Sequence, residues 1–497
     1  SSKSNVHRIG KKVVKEVAQQ VRDDIKSKKG SAMILHYDSK IVEDIMQGKK
    51  KSNERLAVSV KIDDEDHLLG IPVCLNSTGE CQTAKIIELL ELYDIKDSIS
   101  GLVFDTTSVN TGVHSGVNTR LNQYLERDVL HLACRHHQLE CYVKNVSKIY
   151  RVTSGPDNPL FKRFKEELST QDLDHSQLVK FVYGESEILD KAAKKSLEVM
   201  ERLLTEKNLP RGDYFELAEL VKFYLTTDEN YKIQIKPAGP VHHARFMSQS
   251  IYFMKMKIMS NVTNIGTTAA TSKEISEMAE FIGLYYARWF LQATLTACSP
   301  RFDLEAVWEM KNYSNVRSQV AEKCLKSMKH HSWYLHGSVI PLCLVDPELK
   351  EDEKKDVAEK IYDLIHVPII NTDEEEKFRY RKKDLTEVMK KESQPSLAEF
   401  VDKNSRIIFD ILDIKNNDTD WLRLPPSVWH LITPFKKFQN FIKNLPVVND
   451  AAERNVKLIQ DFVDSSTDEE LRQDLLLAVG MKRKAGRPKD TTKKRKL

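Results

Sequence analysis

The order of hydrophobic and polar residues divides the first 150 residues into short elements. Over residues 11–27, apolar side chains recur with a helical period and would share one face. Strand-like runs follow at 33–38, 56–62 and 68–75, and the second of them alternates strictly between apolar and other residues. The third run contains Pro72, which is typical of a strand at the edge of a sheet.

Two helices and two further strands follow these three strands. A helix begins at Thr78 and ends near Tyr93, and a second helix covers residues 113–125. Strands are predicted at 102–104 and 129–134, which gives the order β-β-β-α-β-α-β. Strands joined by short connections predict an antiparallel meander, and strands reached through helices predict parallel pairing with the first strand. This is the strand order of the RNase H fold, in which the first and fourth strands are neighbours.

A helical period dominates from about residue 151 to residue 435, where no alternating strand run appears. The clearest predicted helices there are 177–183, 187–204, 214–224, 272–295 and 351–364. We therefore predict an α/β protein whose RNase H-like mixed sheet is split by a large all-α insertion domain. The predicted parts are an N-terminal helix and linker (1–30), the first part of the core (31–150), the insertion (151–435), the final core helices (436–480) and a basic disordered tail (481–497).

Composition argues against a membrane-spanning protein and against a disulfide-rich protein. Of the 497 residues, 40% are apolar and 30% are charged. No apolar run reaches the roughly 18 residues of a membrane-spanning helix, so no membrane span is expected. The seven cysteines are odd in number and scattered, which favours reduced thiols in an intracellular compartment over a disulfide framework.

The formal net charge of +4 is unevenly distributed along the chain. Residues 481–497 carry nine Lys or Arg and one Asp, so the rest of the chain is slightly acidic. A basic tail on such a body indicates a polyanionic partner or a nuclear import signal.

Three acidic residues stand where they could share one site. Asp38 and Asp105 each end a strand-like run, and Glu453 falls one turn into a helix that Asn449 or Asp450 would cap. Neighbouring strands lie about 4.8 Å apart, which would bring the two Asp residues side by side. Carboxylates suit Mg²⁺ or Mn²⁺, and paired ions of this kind catalyse phosphoryl transfer. The alternative is structural, because such Asp residues often form turns and a Glu in a first helical turn interacts with the helix dipole.

Four short motifs resemble those of transposases of the hAT superfamily, over a region that covers roughly residues 31–480. They are His36-Tyr37-Asp38-Ser39, Leu102-Val103-Phe104-Asp105-Thr106, Cys134-Arg135-His136-His137 and Ala451-Ala452-Glu453-Arg454-Asn455-Val456. A fifth likeness, at 243–248, lies in the predicted insertion and includes Arg245. The resemblance implies an RNase H-like core split before the Glu by a helical insertion. It also implies Mg²⁺-dependent cleavage and transfer of DNA strands by Asp38, Asp105 and Glu453.

The chain departs from this family in two respects. Family transposases usually begin with a zinc-binding domain, and none is visible in this sequence. The Phe-Ser that often follows Glu-Arg is replaced by Asn455 and Val456. Both departures fit a shortened, divergent or domesticated descendant.

The resemblance implies roles for further residues near the triad. Cys134 and His137 match an element whose role is structural, close to the active site. Arg245 and Arg454 are predicted to contact DNA. Trp333 is a candidate for stacking on a flipped base, and core packing is the alternative for this residue.

The C-terminal tail suggests a second contact with DNA. Gly486-Arg487-Pro488 is the core of an AT-hook, whose Arg487 and Lys489 would enter the minor groove of A·T-rich DNA. The basic clusters at 482–484 and 493–496 also fit a bipartite nuclear import signal. A solvated, disordered run of charge is the structural alternative.

Together these features predict a nuclear transposase that cleaves and transfers double-stranded DNA with Mg²⁺ or Mn²⁺. The alternative function is a catalytically inactive, domesticated transposase that binds DNA or chromatin. A scaffold built on the helical region is a third option, and a homo-oligomer stays open.

Overall fold

The computed structural model describes most of the chain. The described residues are 3–46, 49–150, 158–168, 175–207, 209–237, 248–266, 268–366, 385–415, 418–449 and 469–485. Within them, the protein is a mixed α/β structure in which helices predominate.

One mixed sheet of six strands contains all the strands of the described residues. They are β1 (Met33–Met46), β2 (Lys49–Ile62), β3 (Glu65–Gly70), β4 (Val73–Cys74), β5 (Ile99–Phe104) and β6 (Leu130–Ala133). The order across the sheet is β3-β2-β1-β5-β6, and the short β4 pairs with β2. Pairing is antiparallel for β1–β2 and β2–β3 and parallel for β1–β5 and β5–β6. The predicted meander and the predicted parallel strands are therefore confirmed.

Strand β1 is much longer than the sequence indicated. It pairs with β2 from Met33 to Met46, so the prediction that the strand ends at Asp38 is wrong. The β-branched Ile41 and Val42 lie beyond Asp38, and β2 supplies an antiparallel partner along the whole length. The fourth predicted strand, β5, does end at Phe104, so Asp105 directly follows it as expected.

Five helices accompany the sheet in the first 150 residues. They are α1 (Lys3–Ser27), α2 (Gly79–Tyr93), α3 (Ser108–Thr111), α4 (Val117–Leu125) and α5 (Arg135–Ser147), with 3₁₀ turns at Lys96–Ser98 and Lys148–Tyr150. Thr78 caps α2 as predicted, because its side chain accepts a hydrogen bond from the Cys81 backbone N–H. The predicted helix at 113–125 begins later, at Val117, since residues 113–116 form a turn before it.

The described part of the chain beyond residue 150 contains helices and turns but no strand. The helices are α6 (Pro159–Leu168), α7 (Glu187–Glu206), α8 (Gly212–Leu225), α9 (Ser248–Ile258), α10 (Ala269–Phe281), α11 (Ala287–Leu291), α12 (Ser299–Tyr313), α13 (Ser318–His331), α14 (Glu351–Ile365), α15 (Thr386–Lys390), α16 (Ile407–Ile411), α17 (Thr433–Asn444) and α18 (Glu469–Ala485). A π-helical turn, Ile282–Tyr286, joins α10 to α11. Shorter 3₁₀ segments are His175–Gln177, Trp333–Leu335, Gly337–Val345, Leu397–Phe400, Lys403–Arg406, Asp420–Arg423 and Pro426–Leu431.

The helices predicted at 187–204, 214–224 and 351–364 are confirmed, and the one at 272–295 is confirmed as far as residue 291. The helix predicted at 177–183 is wrong, because residues 178–182 form neither a helix nor a strand. The Val179 N–H donates to the carbonyl of Ile258 at 2.7 Å, and the Phe181 N–H donates to the carbonyl of Tyr224 at 2.7 Å. Partners on two other helices thus replace the hydrogen bonds that a local helix would form.

The last helix returns to the sheet at the start of the chain. Glu469 of α18 accepts two hydrogen bonds, at 2.8 and 3.0 Å, from Arg55, whose side chain on β2 is fully buried. Although burial raises it, the pKa of Glu469 is held below its usual value by hydrogen bonds from Arg55. Asp474 pairs with Arg22 of α1 at 2.6 Å. Helix α18 continues to Ala485 and so includes the first basic cluster, at 482–484.

No helix of the described residues is long and apolar enough to cross a membrane.

Candidate functional site

Asp38 and Asp105 lie at the point where the parallel pairing of β1 and β5 ends. The last paired residues are His36 and Val103, so the same register continued by two residues brings Asp38 opposite Asp105. Side chains alternate between the two faces of a sheet, so both Asp side chains belong to the face that carries His36. Tyr37 and Phe104 stack on the other face with ring centroids 6.4 Å apart. The two carboxylates are therefore expected to be neighbours.

The carboxylate of Asp105 is held in a fixed orientation by the turn that follows it. Its Oδ1 accepts hydrogen bonds from the Thr107 N–H at 3.0 Å, the Thr107 hydroxyl at 2.6 Å and the Asn110 side-chain amide at 2.6 Å. Its Oδ2 receives no hydrogen bond from the described residues. This arrangement directs one carboxylate oxygen into the turn and leaves the other for a ligand. It is also the geometry of a structural turn, which was the alternative for this residue.

His137 supports the same turn from helix α5. Its Nδ1 accepts a hydrogen bond from the Thr106 N–H at 2.9 Å and lies 3.0 Å from the Thr106 hydroxyl. The Thr106 hydroxyl is also 3.9 Å from the thiol of Cys141, one helical turn beyond His137. Burial raises the pKa of the Cys141 thiol, and the charge of Asp105 contributes to the same increase. His137 thus contacts the residue next to Asp105.

A hydrogen bond between Cys134 and Asn449 connects the segment that ends at residue 449 to the same place. Cys134 is buried, and its sulfur accepts a hydrogen bond from the Asn449 N–H at 3.3 Å. The Arg135 N–H donates to the carbonyl of Val447 at 2.9 Å. Cys134 therefore contacts the segment that precedes Glu453 in the sequence, and His137 contacts the turn that follows Asp105.

The side chain of Asn449 is buried against β1. Its Nδ2 donates to the carbonyl of Tyr37 at 2.9 Å, and its Oδ1 lies 3.2 Å from the Nδ1 of His36. Tyr37 is the first residue of β1 beyond the pairing with β5, and it immediately precedes Asp38. Asn449 was considered in the sequence only as a helix cap. An Asn before a helix gave no sign of this contact, because its partners lie more than 400 residues away in the sequence.

Several predicted site residues lie outside the described residues: Arg245, Glu453, Arg454, Arg487 and Lys489. Glu453 follows Asn449 by four residues, which span roughly 6 Å in a helix and at most about 14 Å in an extended chain. The described segment that ends at Asn449 is hydrogen-bonded to the backbone next to Asp38.

Trp333 is packed inside the helical region. Its side chain is 6% exposed, and its ring contacts that of His331 edge to face, with centroids 6.3 Å apart. The neighbouring Ser332 hydroxyl lies 3.3 Å from the Tyr142 hydroxyl of α5. This burial favours core packing over base stacking for Trp333.

The donors at this site fit a hard divalent cation only in part. Carboxylate oxygens are the ligands that Mg²⁺ and Mn²⁺ prefer, and Oδ2 of Asp105 is oriented but receives no hydrogen bond from the described residues. Among those residues, no group of three or more His, Cys, Asp or Glu side chains is arranged to hold a metal ion. A complete site would need a ligand such as Glu453, which lies beyond them.

No protein-family model matches this chain, and no curated protein matches its sequence.

Proposed function

We propose that this protein is a DNA transposase of the hAT kind, with an RNase H-like core that cleaves and transfers DNA strands. One observation carries the proposal: Asn449 is hydrogen-bonded to the backbone next to Asp38, four residues before Glu453. The sheet order supports it, because β1 is the parallel neighbour of β5 and Asp38 continues the register opposite Asp105. The helices between residues 151 and 435 would form the insertion domain.

In this proposal the chain's own residues build a binding site for two divalent cations. Asp38, Asp105 and Glu453 would hold Mg²⁺ or Mn²⁺. Bound in this way, the ions would activate the attacking oxygen and stabilise the leaving oxygen of a phosphodiester. The Thr107 and Asn110 contacts orient the carboxylate of Asp105, and His137 fixes the same turn by accepting a hydrogen bond from the Thr106 N–H. Such second contacts keep a ligand in place before the metal binds.

The partner in this proposal is double-stranded DNA, and the place of action is the nucleus. The basic clusters at 482–484 and 493–496 support nuclear import, and Arg487 and Lys489 would contact the minor groove. Arg245 and Arg454 would contact phosphates near the site.

The experiment is a nicking assay on supercoiled plasmid with Mg²⁺ or Mn²⁺. Asp105→Ala and Glu453→Gln should each reduce nicking by at least about 100-fold, because a missing ligand removes a transition-state contact. EDTA should abolish the activity. Asp64→Ala, which changes an exposed turn residue between β2 and β3, should nick like the wild type.

Equal nicking by the wild type and Asp105→Ala would show that the proposed site is wrong. The absence of metal-dependent nicking, with DNA binding retained, would favour the alternative of an inactive, DNA-binding descendant. One observation favours that alternative, since the Asp105 carboxylate already has a complete structural role in its turn.

A further inference from the structure

Helices α5 and α13 pack side by side and present one continuous surface to solvent. The Ser327 hydroxyl donates to the carbonyl of Cys141 at 3.1 Å and accepts from the Asn145 amide at 3.0 Å. The Tyr142 hydroxyl donates to the carbonyl of His331 at 3.2 Å, so the helices run antiparallel. The other side of this contact is buried. The exposed flanks of the two helices must therefore lie on the same side.

The exposed flanks carry four lysines, which we call the α5–α13 lysine surface: Lys144, Lys148, Lys323 and Lys326. All four are exposed, and none of them has an ion pair among the described residues. Lys148 makes only a hydrogen bond to Asn145, at 3.2 Å. Two acids border this surface, because Glu322 lies one helical turn before Lys326 on α13 and Glu140 lies one helical turn before Lys144 on α5.

The surface begins at the candidate site. One stripe runs at helical spacing along α5 through His137, Cys141 and Lys144 and reaches Lys148, which begins the following 3₁₀ turn. The stripe starts at the Thr106 contact, next to Asp105, and ends at the two exposed lysines. Its length is about 16 Å, from the rise of 1.5 Å per residue. Lys144 and Lys148 thus lie at the far end of a stripe that starts next to Asp105.

We infer that the α5–α13 lysine surface binds the phosphate backbone of the double-stranded DNA whose cleavage is proposed at Asp105. This inference rests on the proposed function. Successive phosphates of one DNA strand are about 3.4 Å apart along the helix axis, so a 16 Å stripe spans about five base pairs. The four positive charges complement the phosphates, and none of these lysines gives up an ion pair of the described residues when it meets a phosphate. Lysine acts as a point charge, so contact with the backbone rather than with base edges is expected.

The test measures the salt dependence of DNA binding. A labelled 30-base-pair duplex is titrated in EDTA, so that no cleavage occurs, between 50 and 300 mM salt. The variant Lys144→Gln/Lys148→Gln/Lys323→Gln/Lys326→Gln should lower the slope of log K against log salt by about 3.6, or 0.9 for each lost contact.

The matched control neutralises four exposed lysines elsewhere: Lys191, Lys194, Lys207 and Lys232. It should bind DNA within about twofold of the wild type. Thermal melts check that both variants fold.

Each outcome decides the inference separately from catalysis. An unchanged slope in the test variant, an equal loss in the control, or no DNA binding by the wild type would overturn it. Equal affinity for polyglutamate of the same charge would also overturn it, because the surface would then accept any polyanion. A loss of slope together with no metal-dependent nicking would support this surface and remove the proposed catalytic function.

Discussion

Asn449 shows how much of the candidate site depends on a single buried amide. Its side chain and backbone reach three different partners: Tyr37, His36 and Cys134. A buried amide with its hydrogen bonds formed fixes the position of the chain, because leaving the partners unpaired costs about 1–3 kcal/mol. The backbone of residue 449 is thus held against β1 and the start of α5.

We expect Asn449→Ala to reduce metal-dependent nicking by about 10- to 100-fold, as for other residues that orient a metal ligand. DNA binding in EDTA should stay within about twofold of the wild type, because no phosphate contact is removed. The activity of the variant should respond to higher Mn²⁺ concentration, whereas that of Asp105→Ala should not. Asn312→Ala, at an exposed position of α12, is the control. Unchanged nicking by Asn449→Ala at all metal concentrations would contradict the role.

Glu274, on α10, is a partly buried acid whose charge is disfavoured by its surroundings. Its Oε1 is buried and accepts no hydrogen bond from the described residues. Burial raises its pKa to about 7 from the usual value near 4.5. Between these two values the folded protein binds more protons than the unfolded chain, so stability should fall as the pH rises through this window. The loss is complete above about pH 7.

Glu274→Gln should therefore raise the free energy of unfolding at pH 8 by about 1 kcal/mol. This figure allows for solvent screening of a half-exposed side chain. At pH 4.5 the two proteins should be nearly equal in stability, because the wild-type carboxyl is then protonated. Urea unfolding at several pH values measures the difference, with the exposed Glu322→Gln as control. A constant difference across this range would mean that the carboxyl charge is not its cause.

At the scale of elements, helix α5 joins the sheet to the helical region. Arg135 at its start pairs with Asp303 of α12 at 2.9 Å, and both side chains are 2% exposed. Asp303 also accepts from the Gln138 amide at 2.8 Å and from the Tyr334 N–H at 3.1 Å. Burial raises the pKa of Asp303 even though Arg135 opposes the shift. The buried carboxylate of Asp303 thus accepts hydrogen bonds from two side chains and one backbone N–H.

Removing either charge of the Arg135–Asp303 pair should strongly lower the stability of the protein. Asp303→Asn and Arg135→Met should each lower the free energy of unfolding by about 3–5 kcal/mol, because each leaves a buried group uncompensated. The double variant Arg135→Met/Asp303→Leu should lose clearly less than the sum of the two single losses. A double-mutant cycle in urea measures this coupling. Strict additivity would show that the two charges do not depend on each other.

The sequence predicted the sheet well, because strict alternation and short connections are local signals. It placed β5 and Asp105 correctly, yet it ended β1 too early, since the length of that strand depends on its pairing with β2. It also assigned a helix to 177–183, where hydrogen bonds to two other helices take the place of those of a local helix. Helical periodicity identifies an apolar face and cannot tell which neighbour will cover it.

The motifs around the candidate site could be recognised in the sequence, whereas the long-range contacts between them could not be predicted. Asp105 and the nearby Cys134 and His137 were recognisable from short motifs. The contacts of Thr107 and Asn110 with Asp105 follow from ordinary turn chemistry and could have been expected. The contact between Asn449 and Tyr37 could not, because no local pattern encodes a partner 412 residues away.

At the scale of the whole molecule, the chain's last described segments pack against the sheet that its first 133 residues form. Asn449 contacts β1, and α18 contacts both β2 and α1. The helical region lies between these segments in the sequence. Changes near residue 470 can therefore affect the sheet as directly as changes within its strands.

This arrangement has a consequence for how the protein is made. Asn449 is translated 315 residues after its partner Cys134, an interval of roughly 15–60 s at ordinary rates of synthesis. During that time the emerging chain holds the strands without the segment that covers the end of β1. The buried hydrogen bonds of His36, Tyr37 and Cys134 with Asn449 can form only after residue 449 has left the ribosome. Any catalytic activity that depends on these contacts would then begin only after residue 449 has been made, so a shorter nascent chain would not cut DNA.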